Sequence, residues 1–217
     1  MEVIKYVGGP VDANCYVIKL SQQAIVIDPC VSLDIIKKMI GDHKLNMIIL
    51  THGHFDHICN LKELEEYYNA PIYLAKEAIE KLEDPNLNLS VMIGNPICVK
   101  YPKDVYHIVN DYEKISIDGA QIVFIHTKGH SSCSICIRID NHLFTGDTLF
   151  KGGIGRCDLY SGNTSLMRES LKKLANYFKT KCDGDMIIHP GHEDESTVNF
   201  ELEHNPYLKG EGYWKKR

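Results

Sequence analysis

The chain has 217 residues, 44% of them hydrophobic, with a formal net charge of −5. That supplies apolar material for one large domain with a buried core, and the acidic balance argues against a general affinity for nucleic acid. No apolar run reaches membrane-span length and Met1-Glu2-Val3-Ile4-Lys5 lacks a signal-peptide pattern, so a cytoplasmic protein with no membrane partner is expected.

The opening reads as three antiparallel strands, Val3 to Tyr6, Asn14 to Leu20 and Ala24 to Asp28, separated by Gly8-Gly9-Pro10 and Ser21-Gln22-Gln23. Ser32 caps a helix from Leu33 to Ile40, and Gly41 ends it. The apolar run Asn46 to Leu50 is a short buried strand, and Ile58 to Asn69 has helical spacing. A strand at Ile72 to Leu74 and a helix from Lys76 to Leu82 follow. The segment 83–103, punctuated by Pro85, Pro96 and Pro102, is an excursion with either a role in substrate access or none.

From Val105 the chain returns to strands. Lys114 to Ile117 and Gln121 to His126 flank the turn Asp118-Gly119, and Cys133 to Ile139 and His142 to Thr145 flank Asp140-Asn141. Thr164 caps an amphipathic helix to about Lys179; a strand at Met186 to His189 and a helix beginning near Ser196 close the pattern. The tail Lys215-Lys216-Arg217 reads as solvated. The eight cysteines are scattered singly among apolar neighbours, as buried hydrophobes rather than a disulfide framework. Cys133-x-x-Cys136 looks like a redox or zinc motif, but residues three apart on a strand point to opposite faces.

Thr51-His52-Gly53-His54-Phe55-Asp56-His57 concentrates four potential metal ligands, His52, His54, Asp56 and His57, on a strand-to-helix turn. His52 and His54, two apart on an extended segment, point the same way toward one metal; Asp56 and His57, entering the helix, face another. Three further candidates each follow an expected strand beside a glycine: His130 after Gly129, Asp147 after Gly146, and His192 after Gly191. The remaining histidines, His43, His107, His126, His142, His189 and His204, carry no matching motif. His189, at the end of the strand leading to His192, is the nearest to a supporting role.

In this order the set resembles the metallo-β-lactamase fold superfamily. The resemblance implies an α+β protein, a four-layer αβ/βα sandwich of two mixed sheets flanked by helices, with metals at one edge. It implies that His52, His54 and His130 hold one ion, Asp56, His57 and His192 a second, that Asp147 bridges both, and that Asp28 supports the ligands from behind. Gly146-Asp147-Thr148-Leu149-Phe150, Gly152 to Leu159 and Asn205-Pro206-Tyr207-Leu208 resemble the hydroxyacylglutathione hydrolase (glyoxalase II) branch. That implies one domain without the branch's additional C-terminal helical domain, and two divalent ions, zinc first, with iron or manganese on the same ligands.

The implied reaction is thioester hydrolysis, on acyl-glutathione or related small-molecule thioesters, through a metal-bridging hydroxide that Asp56 orients or deprotonates. Arg156 is the expected substrate cation. Two departures bear on the substrate. Branch members carry Lys-Phe-Tyr where this chain has Arg156-Cys157-Asp158, and a tyrosine where it has Asp194. The rival on the same fold is a persulfide dioxygenase with one iron, whose members share a Gly-Arg-x-Asp segment like Gly155 to Asp158; hydrolysis of another ester or a lactone is a further alternative.

Overall fold

A computed structural model describes residues 1–182 and 185–212; the basic tail at 215–217 lies outside the described residues. The turn-punctuated apolar runs at the start form β1 (Glu2–Gly8), β2 (Ala13–Lys19) and β3 (Gln23–Ile27), paired antiparallel. The first sheet then grows by helical crossovers. Helix α1 (Leu33–Ile40) leads to β4 (Lys44–Ile49), parallel to β3. A four-residue helix α2 (Phe55–Ile58) and α3 (Leu61–Tyr68) lead to β5 (Ile72–Leu74), and α4 (Ala78–Glu83) leads through the excursion to β6 (Tyr106–Ile108), both strands adding in parallel.

The second sheet opens as a meander of β7 (Lys114–Ile117), β8 (Ala120–His126), β9 (Ile135–Ile139) and β10 (His142–Gly146). Asp118 and Gly119, at φ 48° and 83°, form the tight turn between β7 and β8. A small separate ribbon, β11 (Leu149–Phe150) with β12 (Gly153–Ile154), follows and has no counterpart in the sequence reading. Helix α5 (Thr164–Lys181) then crosses to β13 (Ile187–Pro190), parallel to β10, and β14 (Ser196–Thr197) and α6 (Val198–His204) end the order.

Strand periodicity sorts the core into layers. On β8, Ile122 and Phe124 join the cluster shared with the first sheet, α1 and α3, whereas Val123 and Ile125 join Met167, Leu171, Leu174 and Phe178 of α5. The result is helices, sheet, sheet, helices: the expected four-layer sandwich. Cys133 falls in the first cluster and Cys136 in the second, so the two thiols lie on opposite faces. Both are buried and free, and burial pushes them up, Cys136 to about 11. Cys133→Ser and Cys136→Ser should therefore retain metal and turnover, checked by elemental analysis and initial rates; loss of metal in either would return the pair to the site.

Two local expectations are corrected. The helix read from Ile58 to Asn69 is two pieces, because the Asn60 N–H donates to Pro29 O at 3.0 Å instead of continuing the helical ladder. Helix α5 is capped by Asn163, whose side chain accepts from Leu166 N, rather than by Thr164.

His189 does not serve the ligands. It stacks on Phe144 and meets Tyr16 edge-on between the sheets. His142 Nδ1 donates to its Nε2 at 2.8 Å and its own Nδ1 donates to Glu195 at 3.0 Å. Burial pushes His189 down to about 4 despite Glu195. The unfolded chain, with an ordinary histidine, binds the extra proton between about pH 6.5 and 4, so stability falls as pH drops through that window, by up to about 3 kcal/mol. Metal-free protein should lose Tm on acidification to pH 4.5, and His189→Phe, which keeps the stacking, should lose less.

Candidate metal centre

Every ligand candidate leaves the carboxyl end of a strand at the edge where the two sheets meet. His52, His54, Asp56 and His57 follow β4, His130 follows β8, Asp147 follows β10 and His192 follows β13. Backbone hydrogen bonds stitch that edge together: Ile135 N donates to Thr51 O, Asn14 N to Gly191 O, and Gly191 N to Gly146 O, at 2.7–2.8 Å. Gly191 is required by crowding, since a Cβ there would lie 2.3 Å from Asp147 Oδ1 and 2.8 Å from His57 Cε1.

The side chains converge in two groups. His52, His54 and His130 form one; Asp56, His57 and His192 form the other. His54 Nδ1 and His130 Nε2 face each other at 2.9 Å, and Asp56 Oδ2 lies 3.1 Å from His192 Nε2 and 3.6 Å from His57 Nε2. Asp147 stands between the groups, 3.4 Å from His57 Nε2, 3.5 Å from His130 Nε2 and 3.7 Å from His192 Nε2. Ligands sharing an ion with bonds near 2.0–2.1 Å lie about 3–3.5 Å apart, so these separations suit a common cation. His52 Nε2, His57 Nε2 and Asp147 Oδ1 are buried without any hydrogen-bond partner. Orphaned donor atoms of that kind are what a metal satisfies.

The other ring nitrogens are spoken for, which fixes the presenting atom. His57 Nδ1 donates to Asp28 Oδ2 at 2.8 Å and His130 Nδ1 donates to the Arg156 carbonyl at 2.8 Å, leaving each Nε2 lone pair for the ion. Thr51 gives its hydroxyl proton to Asp28 Oδ2 at 2.6 Å and accepts from His52 Nδ1 at 3.1 Å, so Asp28 orients His52 through a relay. Asp28 and His52 also fall within ligand distance of His57, but the Asp28 carboxylate is consumed by Thr51 N, Thr51 Oγ1 and His57. Its bonds run to Thr51 and His57, behind the ligand rings, where the resemblance implies a support. Asp28→Asn should weaken metal binding about 10–100-fold without unfolding the chain, measured by chelator competition; unchanged affinity would strip Asp28 of that role.

Charge follows the same division. Burial, then the neighbouring histidines, hold His52 well below the ordinary imidazole range; burial and His130 push His54 down to about 3. Burial lowers His130 too. These rings stay neutral and keep their lone pairs. Burial opposes a charge on His57, yet Asp56, Asp147 and Asp28 outweigh it and raise the ring, and Asp56 does the same for His192. Against burial, His57 holds the Asp56 and Asp147 carboxyls below the usual carboxylate range. The pocket is thus built for positive charge at its centre.

Arg156 sits differently from expectation. Its guanidinium forks onto Asp158, at 2.6 and 2.9 Å, and is largely exposed, while its carbonyl holds His130. Three contributors escaped the sequence reading. Thr51 is the relay above. Asn14 Nδ2 donates to Pro190 O at 2.9 Å and Glu193 O at 3.1 Å, bracketing His192. Lys81 is fully buried and reaches Ser161 Oγ at 2.9 Å, and the excursion beyond it is tied to the site, since Phe55 N donates to Asn88 O. A polar residue at the head of the apolar run Asn14-Cys15-Tyr16-Val17-Ile18 was the available signal for Asn14.

Residues 8–183 match the family model of the metallo-beta-lactamase superfamily. The chain belongs to that superfamily. Among members of the metallo-beta-lactamase superfamily, it is 33% identical over 207 residues to the probable metallo-hydrolase YqgX of Bacillus subtilis, covering 93% of this chain and 95% of that one. The crystal structure of the BLEG-1 B3 metallo-beta-lactamase is 30% identical, with a TM-score of 0.85 over 96% of this chain and all of its own. TTHA1623, solved in a di-iron-bound form, is 25% identical, with a TM-score of 0.80 over 94% and 99%. Superfamily membership and the His/Asp cluster make this a metallo-hydrolase type of protein that binds divalent metal. No helix among the described residues is long and apolar enough to cross a membrane.

Proposed function

We propose that this chain is a binuclear metal-dependent hydrolase of small thioesters, of the glyoxalase II type, working in the cytoplasm. The observation that carries the reading is the Asp147 carboxylate, which faces histidines of both groups at 3.4–3.7 Å. His52, His54 and His130 would hold one ion and Asp56, His57 and His192 the other, with Asp147 placed to serve both. A fully assembled second group supports two ions over the single iron of a dioxygenase. Imidazole and carboxylate donors suit zinc, and iron or manganese take the same set. Two divalent ions bound there would supply activation of water at neutral pH and polarisation of the scissile carbonyl.

The protein's own groups do the rest. Asp56, buried between His57 and His192, orients the attacking water and takes up its proton. The supports Asp28, Thr51 and the Arg156 carbonyl keep the rings from turning as charge develops. The buried cysteines Cys15, Cys30, Cys133 and Cys136 are free thiols, which suits a reducing compartment.

The test is elemental analysis of protein purified without added metal, followed by thioester cleavage under anaerobic conditions. Two metals per chain with anaerobic cleavage is the expected result. One iron with oxygen consumption on a persulfide would replace the hydrolase by the dioxygenase. Because BLEG-1 is called a B3 metallo-beta-lactamase, β-lactam opening is the second reading. A β-lactam cleaved faster than any thioester would establish it instead.

A further inference from the structure

The element Asn205-Pro206-Tyr207-Leu208 supplies no metal ligand, yet a chain of contacts runs from it to one. Asn205 is fully buried, and its own turn orients the amide: Oδ1 accepts from Tyr207 N at 3.0 Å and Leu208 N at 3.4 Å, which leaves Nδ2 facing the other way. That nitrogen donates to Gly153 O at 3.0 Å and to Glu201 Oε2 at 2.7 Å, and lies 3.5 Å from Phe150 O. Glu201, on α6, is fully buried too. Its carboxylate accepts from Gly152 N, at 3.2 and 3.1 Å to the two oxygens, and from Ser196 Oγ. Phe150, Gly152 and Gly153 form the closed end of the β11–β12 ribbon, so the end of the chain grips that ribbon by its tip.

The open end of the ribbon lies in the metal centre. Only Thr148 separates β11 from Asp147, and only Gly155 separates β12 from Arg156. The two arms pass in contact there, since a Cβ on Gly155 would lie 1.8 Å from Asp147 O and 3.0 Å from His130 Nδ1. Arg156 O, which accepts from His130 Nδ1 at 2.8 Å, therefore follows the position of β12 closely. A hydrogen bond of that length is lost once the carbonyl moves by about 1 Å. The β11 arm is held besides by Thr145, whose hydroxyl donates to Leu149 O at 2.8 Å, so loss of the grip would fall mainly on β12.

We propose that Glu201 and Asn205 are positioning residues for the metal centre, pinning the β11–β12 ribbon so that the Arg156 carbonyl stays on His130 Nδ1 and His130 Nε2 stays aimed at its ion. The ion rests on the metal-centre reading given above; the hold of the carbonyl on the ring does not. His57 supplies the contrast, because its Nδ1 is held by Asp28 and not by the ribbon. Loosening of the ribbon reaches His130 and spares His57, whereas a general loss of stability reaches both.

The test follows the solvent exchange of the His130 and His57 Nδ1 protons by nuclear magnetic resonance in the zinc-loaded chain, with zinc affinity measured by chelator competition. In Asn205→Ala and in Glu201→Ala the His130 proton should exchange about tenfold faster, the His57 proton should keep its wild-type rate, and one zinc should be held about tenfold more weakly. Asn205→Ala leaves the Gly152 bond to Glu201 in place, so it carries the test if Glu201→Ala does not fold. Equal acceleration of both protons, an unchanged His130 proton in a variant of lowered Tm, or unchanged zinc affinity overturns the inference. If the His130 proton and one zinc respond as stated while no thioester is cleaved, the positioning role stands and the hydrolase reading falls.

Discussion

Asp147→Ala lowers thioester turnover by about 10³-fold or more and reduces bound metal, while the far-ultraviolet circular dichroism spectrum stays that of the wild type. Asp147 faces three ring nitrogens at 3.4–3.7 Å, so its removal deprives both groups of a shared anion. Charge stabilisation by bound metal is worth several kcal/mol in the transition state, which converts to about three powers of ten. The fold survives because Asp147 lies just past β10, outside both apolar clusters. His54→Ala acts on one group only and should lower the count toward one ion per chain. Wild-type turnover in Asp147→Ala sinks the binuclear assignment; wild-type metal content with lost turnover would make Asp147 a group acting on substrate instead.

The clustering of the candidate ligands was legible because its signal is local. Four candidate ligands within six residues, and glycines beside His130, Asp147 and His192, are properties of adjacent letters, and the structure brings all seven side chains together. The layer order came with the resemblance, and the structure bears it out as β8 and β9 alternate residue by residue between the inner and the helix-covered face. What escaped depends on partners far along the chain. Asn14 acts on carbonyls 176 and 179 residues away, and Lys81 on a hydroxyl 80 residues away. Nothing adjacent to either residue announces that partner.

The break at Asn60 and the cap at Asn163 failed for a different reason. In each, a local rule competed with a tertiary bond. Helical spacing runs through Ile58 to Asn69, yet Pro29 O takes the Asn60 N–H. Asn163 outcompetes Thr164 as cap because Gly129 O also accepts its N–H at 2.7 Å, anchoring the helix start to the His130 loop. Propensity named an element in both cases, and the loop that carries a ligand decided where it began.

A glutathione thioester should be cleaved no better than a small neutral thioester with the same acyl group, and Asp194→Tyr should improve kcat/KM for the glutathione substrate. Two tyrosine hydroxyls found in the glyoxalase II branch are absent here, at Asp158 and Asp194. The structure weakens the remaining cation as well, since the Arg156 guanidinium is already engaged by Asp158 through two hydrogen bonds. Each missing bond to a charged group costs about 1.5–3 kcal/mol, so two of them reduce recognition by about a hundredfold or more. Asp194 adds repulsion, because it lines the cleft beside His192 where an anionic arm would enter. The metal ligands are untouched by any of this, so kcat on a neutral thioester should be unchanged in Asp194→Tyr and the gain should appear in KM. A native preference of tenfold or more for the glutathione substrate would show that cations other than Arg156 supply the recognition.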